Sequence, residues 1–156
     1  HTSFVMNDKC AAGTGRFLEV IARTIGVPLD DFGPLSLQAT DPVRISSVCT
    51  VFARSEVVRY LRRGVPKADI AAGICEATVE RVVTLLKRVG IEPELVISGG
   101  IGKNAGVVKR IEGRLGLTAR IPAEPQIMGA LGAALFAREN IALSSSATVN
   151  HVRTAE

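Results

Sequence analysis

The stretch NDKCAAGTGRF, residues 7–17, places a cysteine three residues before a Gly-Thr-Gly turn, and a hydrophobic run follows it. Because Gly13 and Gly15 flank Thr14, successive backbone amides of this turn can face an anion. Thr14 could instead be an ordinary N-cap of the following helix. A thiol at a helix start has a lowered pKa and becomes a better metal ligand or nucleophile. The stretch therefore indicates either a joint thiolate and anion site or a capped helix.

Periodicity and turn residues predict an alternation of helices and short strands along the chain. Helices are predicted over residues 11–25, 51–63, 67–89, 104–115 and 127–138. Short strands are predicted over residues 43–46, 95–98 and 117–121. Residues 28–42 hold three prolines and are predicted to form an irregular connection, and the last dozen residues are polar and predicted to be loose. This alternation predicts an α/β fold with a mixed sheet and flanking helices.

Composition limits the class of protein. Of the 156 residues, 47% are hydrophobic and only 4% are aromatic, which indicates a globular domain with an aliphatic core. The net charge of +4 is spread along the helices, so we expect no nucleic-acid partner. No membrane-spanning run or signal peptide is visible, and three widely spaced cysteines do not suggest a secreted disulfide framework. We therefore expect a cytoplasmic protein that does not bind membranes.

A second glycine loop, ISGGIGKN at residues 97–104, follows a predicted strand and begins a predicted helix. Its spacing is neither the dinucleotide fingerprint nor a P-loop. A tight turn between strand and helix would explain the loop as well as a ligand site would. Two such loops in one small domain make nucleotide binding the leading hypothesis for the site.

The cysteines fall into two classes. Cys10 and Cys49 both precede a predicted helix among small polar residues, whereas Cys75 lies on the apolar stripe of the longest predicted helix and is expected in the core. An iron–sulfur cluster takes four cysteine thiolates, and one chain offers two plausible ones. A two-fold dimer could supply four. Buried cysteines without a metal remain the alternative.

Four blocks of the sequence carry a resemblance to a known family. They are MNDKCAAGTGRFLE at 6–19, ISSVCTVFA at 45–53, SGG at 98–100 and GALGAA at 129–134. In order and spacing, these blocks resemble the ATPases that activate 2-hydroxyacyl-CoA dehydratases and the ATPase subunits of benzoyl-CoA reductases. The resemblance extends over about residues 4–138.

The resemblance implies a fold of the actin, sugar-kinase and heat-shock-chaperone type, with this chain as a ribonuclease-H-like C-terminal lobe over residues 1–140 and a polar tail over 141–156. It also implies ATP or ADP with Mg²⁺, and a [4Fe–4S] cluster shared by a homodimer or pseudo-dimer. Cys10 and Cys49 match the family's two cluster ligands. The nucleotide-binding positions correspond to both glycine loops and the last helix region: Gly13, Thr14, Gly15, Gly99, Gly100, Asn104 and Gln126.

The implied activity is the ATP-driven delivery of one low-potential electron to a partner iron–sulfur enzyme, an acyl-CoA dehydratase or benzoyl-CoA reductase. The Asp-x-Gly phosphate loops of such ATPases are not found in this sequence. We therefore expect the 156-residue chain to be the C-terminal part of a longer protein and to hydrolyse ATP negligibly by itself. Two alternatives remain open: a dimerisation module that binds a cluster without hydrolysis, and a kinase-like ATPase lobe without a cluster.

Overall fold

A computed structural model describes residues 3–7, 14–45 and 49–153, with side chains up to residue 141. Its α-helices are Thr14–Ile25 (α1), Leu29–Ser36 (α2), Thr50–Arg62 (α3), Lys67–Val89 (α4), Ala105–Leu115 (α5) and Met128–Arg153 (α6). Two 3₁₀ turns, Gly100–Lys103 and Pro125–Ile127, precede α5 and α6. Helices α3, α4 and α5 agree with their predicted ranges to within one residue. Residues 11–13 of the first predicted helix lie outside the described residues.

The segment predicted as an irregular connection contains a helix, α2, and this prediction is wrong for Leu29–Ser36. Pro34 lies inside the helix, where it removes one backbone donor. Burial outweighs that loss, because Phe32 is completely buried in the core. Helix α2 packs against both α4 and α5. It is therefore an integral layer of the domain.

Strand pairing is sparse in the described residues. The only bridge among them is a parallel one between Val96 and Arg120, with the Ile97 amide donating to the Arg120 carbonyl over 3.1 Å. It joins the second and third predicted strands on either side of α5. Residues 43–45 are not a strand, because the amide of Val43 donates instead to the carbonyl of Asp69 in α4. The predicted mixed sheet beyond this bridge stays a prediction.

The last helix is longer than the sequence predicted. It continues to Arg153, so the expectation of a loose polar end is wrong up to that residue. Neither glycine nor proline occurs between residues 138 and 153, and nothing in the sequence stops the helix there. A boundary between lobe and tail at residue 140 stays a prediction.

The core is aliphatic, as the composition predicted. Ala71, Cys75 and Val79 on the predicted stripe of α4 are completely buried, which confirms the core position of Cys75. Burial raises the pKa of the Cys75 thiol, and a hydrogen bond with Ser36 opposes that rise. Among the described helices, none has the length and hydropathy that crossing a membrane requires.

Candidate functional site

A cavity of about 280 Å³ lies where the start of α1, the start of α2 and the turn before α5 meet. Of the predicted nucleotide residues, Gly15 lines it from the first glycine loop and Gly100 and Asn104 from the second. Gln126, from the 3₁₀ turn before α6, lines the same cavity. The fold thus brings together residues that the sequence separates widely.

The other three predicted nucleotide residues are placed differently. Gly99 adopts a φ of +81°, a conformation that favours glycine, and its amide donates to the carbonyl of Pro125 over 2.6 Å. Thr14 is the first residue of α1 and is half-buried. Neither residue is part of the cavity lining, and Gly13 lies outside the described residues. Gly99 therefore shapes the turn that presents its neighbour Gly100.

The side chain of Asn104 has two hydrogen-bonding groups, an oxygen that accepts and an NH₂ group that donates. It is the N-cap of α5, and its Oδ1 accepts a hydrogen bond of 3.0 Å from the Val107 amide. The side chain is almost fully buried, with 8% of the residue exposed. Because Oδ1 is committed to the cap, the side-chain NH₂ group is the donor that remains for a ligand.

The cavity wall combines apolar side chains with charged ones. Leu18, Leu29 and Ile101 supply its apolar surface. The charged lining residues are Arg16, Glu19, Asp30 and Lys103. An apolar wall with a few convergent polar groups is typical of small-molecule sites.

Sequence reasoning missed the contribution of α2, which supplies Leu29 and Asp30 to the cavity. A signal for this helix was present in the sequence. Pro28 followed by two acidic residues is typical of a helix start, and Phe32 is an apolar anchor one turn later. The segment was nevertheless predicted to be irregular, because its three prolines are typical of a connection between elements.

Helix α2 is held against α5 by a hydrogen-bonded arginine. The guanidinium of Arg110 donates to the carbonyl of Ser36 over 2.8 Å and to its hydroxyl over 3.0 Å. It also pairs with Glu76 of α4 at 3.0 Å, and only 14% of the Arg110 side chain is exposed. Near the other end of the contact, Gly33 packs so closely on Asn104 that a Cβ atom there would lie 2.7 Å from Oδ1. The position of α2 therefore fixes one wall of the cavity.

The predicted metal ligands are only partly described. Cys49 is half-buried at the N-cap position of α3, where a helix start favours a thiolate. Cys10 lies outside the described residues. Helix α1, which follows Cys10 in the sequence, packs against α3. Within the described ranges, no three His, Cys, Asp or Glu side chains gather as a metal site would require.

Comparison with known proteins gives a consistent family and fold. The model of the BadF/BadG/BcrA/BcrD ATPase family matches residues 1–137. The activator of lactoyl-CoA dehydratase from Anaerotignum propionicum is 50% identical over 136 residues, which cover 87% of this chain and 52% of that protein. At lower identity, a subunit of the benzoyl-CoA reductase from Thauera aromatica is 35% identical over 140 residues, which cover 86% of this chain and 50% of that protein.

One solved structure resembles the chain closely. It is the activator of the 2-hydroxyisocaproyl-CoA dehydratase from Clostridium difficile with bound ADPNP, and the two superimpose with a TM-score of 0.82 at 43% identity. The match covers 90% of this chain and 52% of that one. It confirms the predicted type of fold, that of the actin- and hexokinase-like ATPases. The chain spans about half the length of the relatives it matches.

Proposed function

Because this chain belongs to the BadF/BadG/BcrA/BcrD ATPase family, we propose that it serves in an ATP-dependent activator of an acyl-CoA dehydratase or a benzoyl-CoA reductase. Its relatives include an activator of one such enzyme and a component of another. We propose that the partner is an iron–sulfur enzyme that acts on an acyl-CoA. We propose the cytoplasm as its compartment, with neither nucleic acid nor membrane as a partner.

The observation that carries the proposal is the cavity shared by the two glycine loops. Backbone at Gly15 and Gly100 can approach a ligand closely because neither residue has a side chain. The Asn104 amide offers a donor beside the apolar surface of Leu18 and Ile101. We propose that this cavity holds the nucleoside end of ATP or ADP, and that the phosphates with Mg²⁺ lie toward residues 13–15.

For the metal, we propose that two copies of the chain hold one [4Fe–4S] cluster through Cys10 and Cys49 of each copy. When bound, such a cluster would supply the single low-potential electron that the partner enzyme receives. Cys49 suits this role because its thiol lies at a helix start. Val51 and Phe52, in the first turn of the same helix, are 68% and 66% exposed. Exposed apolar side chains at this place suit a contact with a second copy of the chain.

In the proposed mechanism, the nucleotide and cysteine positions are mechanically linked. Gly15 belongs to the first turn of α1, and Cys10 lies a few residues before that turn. A nucleotide contact at Gly15 therefore acts on the segment that carries Cys10. Since α1 packs against α3, the same movement reaches the helix that begins next to Cys49. This arrangement supports the proposal that one element responds to nucleotide and metal together.

Substitution of Asn104 tests the proposal that the cavity binds a nucleotide. Asn104→Asp keeps an oxygen that can cap α5 but removes the NH₂ donor, so we expect ADP affinity to fall about fivefold to tenfold with little change in stability. Asn104→Ala removes cap and donor, and should also lower the free energy of unfolding by about 1 kcal/mol. ADP titrations and chemical denaturation measure the two effects. An Asn104→Asp variant that binds ADP as tightly as the original chain would contradict the proposed site.

A further inference from the structure

We propose that Asp30 recognises the ribose of the bound nucleotide by accepting hydrogen bonds from its 2′- and 3′-hydroxyl groups. The cavity would then select ribonucleotides over 2′-deoxyribonucleotides and reject nucleotides whose 2′- or 3′-oxygen carries a phosphate. This inference rests on the proposed function, since it assigns a specificity to the same cavity. Asp30 was not among the nucleotide-binding residues predicted from the sequence.

The charges of the cavity single out Asp30. Both cationic side chains of the lining are already paired with carboxylates: Arg16 with Glu19 at 2.6 Å, and Lys103 with Glu124 at 3.1 Å. Within the described ranges, the Asp30 carboxylate has neither an ion pair nor a hydrogen bond. Asp30 is therefore the charged lining residue that has no ion-pair partner in the described part of the chain.

That charge decides which end of a nucleotide the cavity suits. A phosphate beside an unpaired carboxylate is repelled, whereas the two hydroxyl groups of a ribose are donors and a carboxylate has two acceptor oxygens. Asp or Glu side chains accept hydrogen bonds from ribose hydroxyls in other nucleotide-binding folds. A volume of about 280 Å³ also suits a nucleoside better than a complete nucleoside triphosphate.

The structure holds Asp30 in a fixed relation to Asn104, another polar residue of the cavity lining. Asp30 lies in the first turn of α2, and the same helix packs through Gly33 on the side chain of Asn104. At its far end α2 is held by the hydrogen bonds from Arg110 to Ser36. Asp30 and Asn104 thus belong to one packed unit. A binding site needs such rigid support to keep its polar groups at a fixed spacing.

The test compares ADP with 2′-deoxy-ADP on three forms of the chain. The original chain should bind ADP about tenfold more tightly than 2′-deoxy-ADP, because hydrogen bonds to a charged acceptor are strong. Asp30→Asn should lower ADP affinity by about the same factor and bring the ratio of the two affinities close to one. Asp31→Asn is the matched control: Asp31 is the next acidic residue of the same helix turn, is exposed, and does not line the cavity. Asp31→Asn should keep the ratio of ADP affinity to 2′-deoxy-ADP affinity that the original chain has.

The possible outcomes separate this inference from the proposed function. If Asp30→Asn still prefers ADP as strongly as the original chain does, Asp30 does not recognise the ribose, although the nucleotide site stands. Equal losses in the Asp30 and Asp31 variants would also overturn the inference, since they would indicate a general effect of charge. If the original chain binds neither nucleotide, the proposed site fails, and the inference fails with it.

Discussion

Replacing Gly106 by alanine is expected to lower the free energy of unfolding by about 1–3 kcal/mol, because the added methyl group has no space. Gly106 lies in the first turn of α5, directly against α2. A Cβ atom there would overlap the Ser36 hydroxyl and lie 2.8 Å from the carbonyl oxygen of Gly33. The hydroxyl cannot simply rotate away, since it donates to that carbonyl over 2.7 Å and accepts from Arg110. Helix α2 would have to move from α5.

The same helix offers a matched control for this substitution. Gly113 is exposed, and no atom lies within 4 Å of the position that a Cβ atom would take. Gly113→Ala should therefore raise the free energy of unfolding by about 0.5–1 kcal/mol, because alanine is the better helix former. Urea denaturation of both variants measures the two changes. Equal effects of the two substitutions would show that the α2–α5 contact is looser than the structure indicates.

Replacing Cys49 by serine is expected to remove nearly all iron from the anaerobically reconstituted protein. Four thiolates hold a [4Fe–4S] cluster, so a dimer of Cys49→Ser chains would retain at most the two from Cys10. The original protein should contain about four irons per two chains, and Cys10→Ser should lose iron as Cys49→Ser does. Iron and sulfide analysis, together with the mass of the particle in solution, measures these results.

Cys75→Ala is the control for the cysteine substitutions. Cys75 is completely buried, and burial raises the pKa of its thiol, so it is a poor source of thiolate. Alanine is small and apolar enough to take its place in α4, and the variant should keep its iron. If Cys75→Ala lost its iron while Cys49→Ser still bound iron, the assignment of Cys49 as a cluster ligand would be wrong.

Local periodicity predicted much of the fold, and tertiary packing explains the main errors. Helices α3, α4 and α5 have regular apolar stripes and end near glycines, so their ranges could be predicted from sequence. Helix α2 could not, because eight residues with an internal proline are helical only when Phe32 is buried. Val43 was predicted in a strand because it alternates with polar neighbours, yet its amide bonds to the carbonyl of Asp69.

The candidate site was predicted in the same uneven way. Glycine loops can be recognised locally, and the family resemblance identified Gly15, Gly100 and Asn104 as nucleotide-binding positions within and beside them. Leu29 and Asp30 carry no local signature of ligand binding, and they line the cavity only because α2 folds back onto α5. Residues of this kind depend on packing between distant segments, which one sequence does not reveal.

The most direct test of the nucleotide site is a titration of the ¹⁵N-labelled chain with ADP, followed by NMR. Binding in the proposed cavity should shift the backbone amides of Gly15 and Gly100 and the side-chain amides of Asn104 and Gln126, while Gly113 on the far part of α5 stays unchanged. Millimolar ADP that leaves all four cavity residues unshifted, or shifts only residues elsewhere, would contradict the proposal.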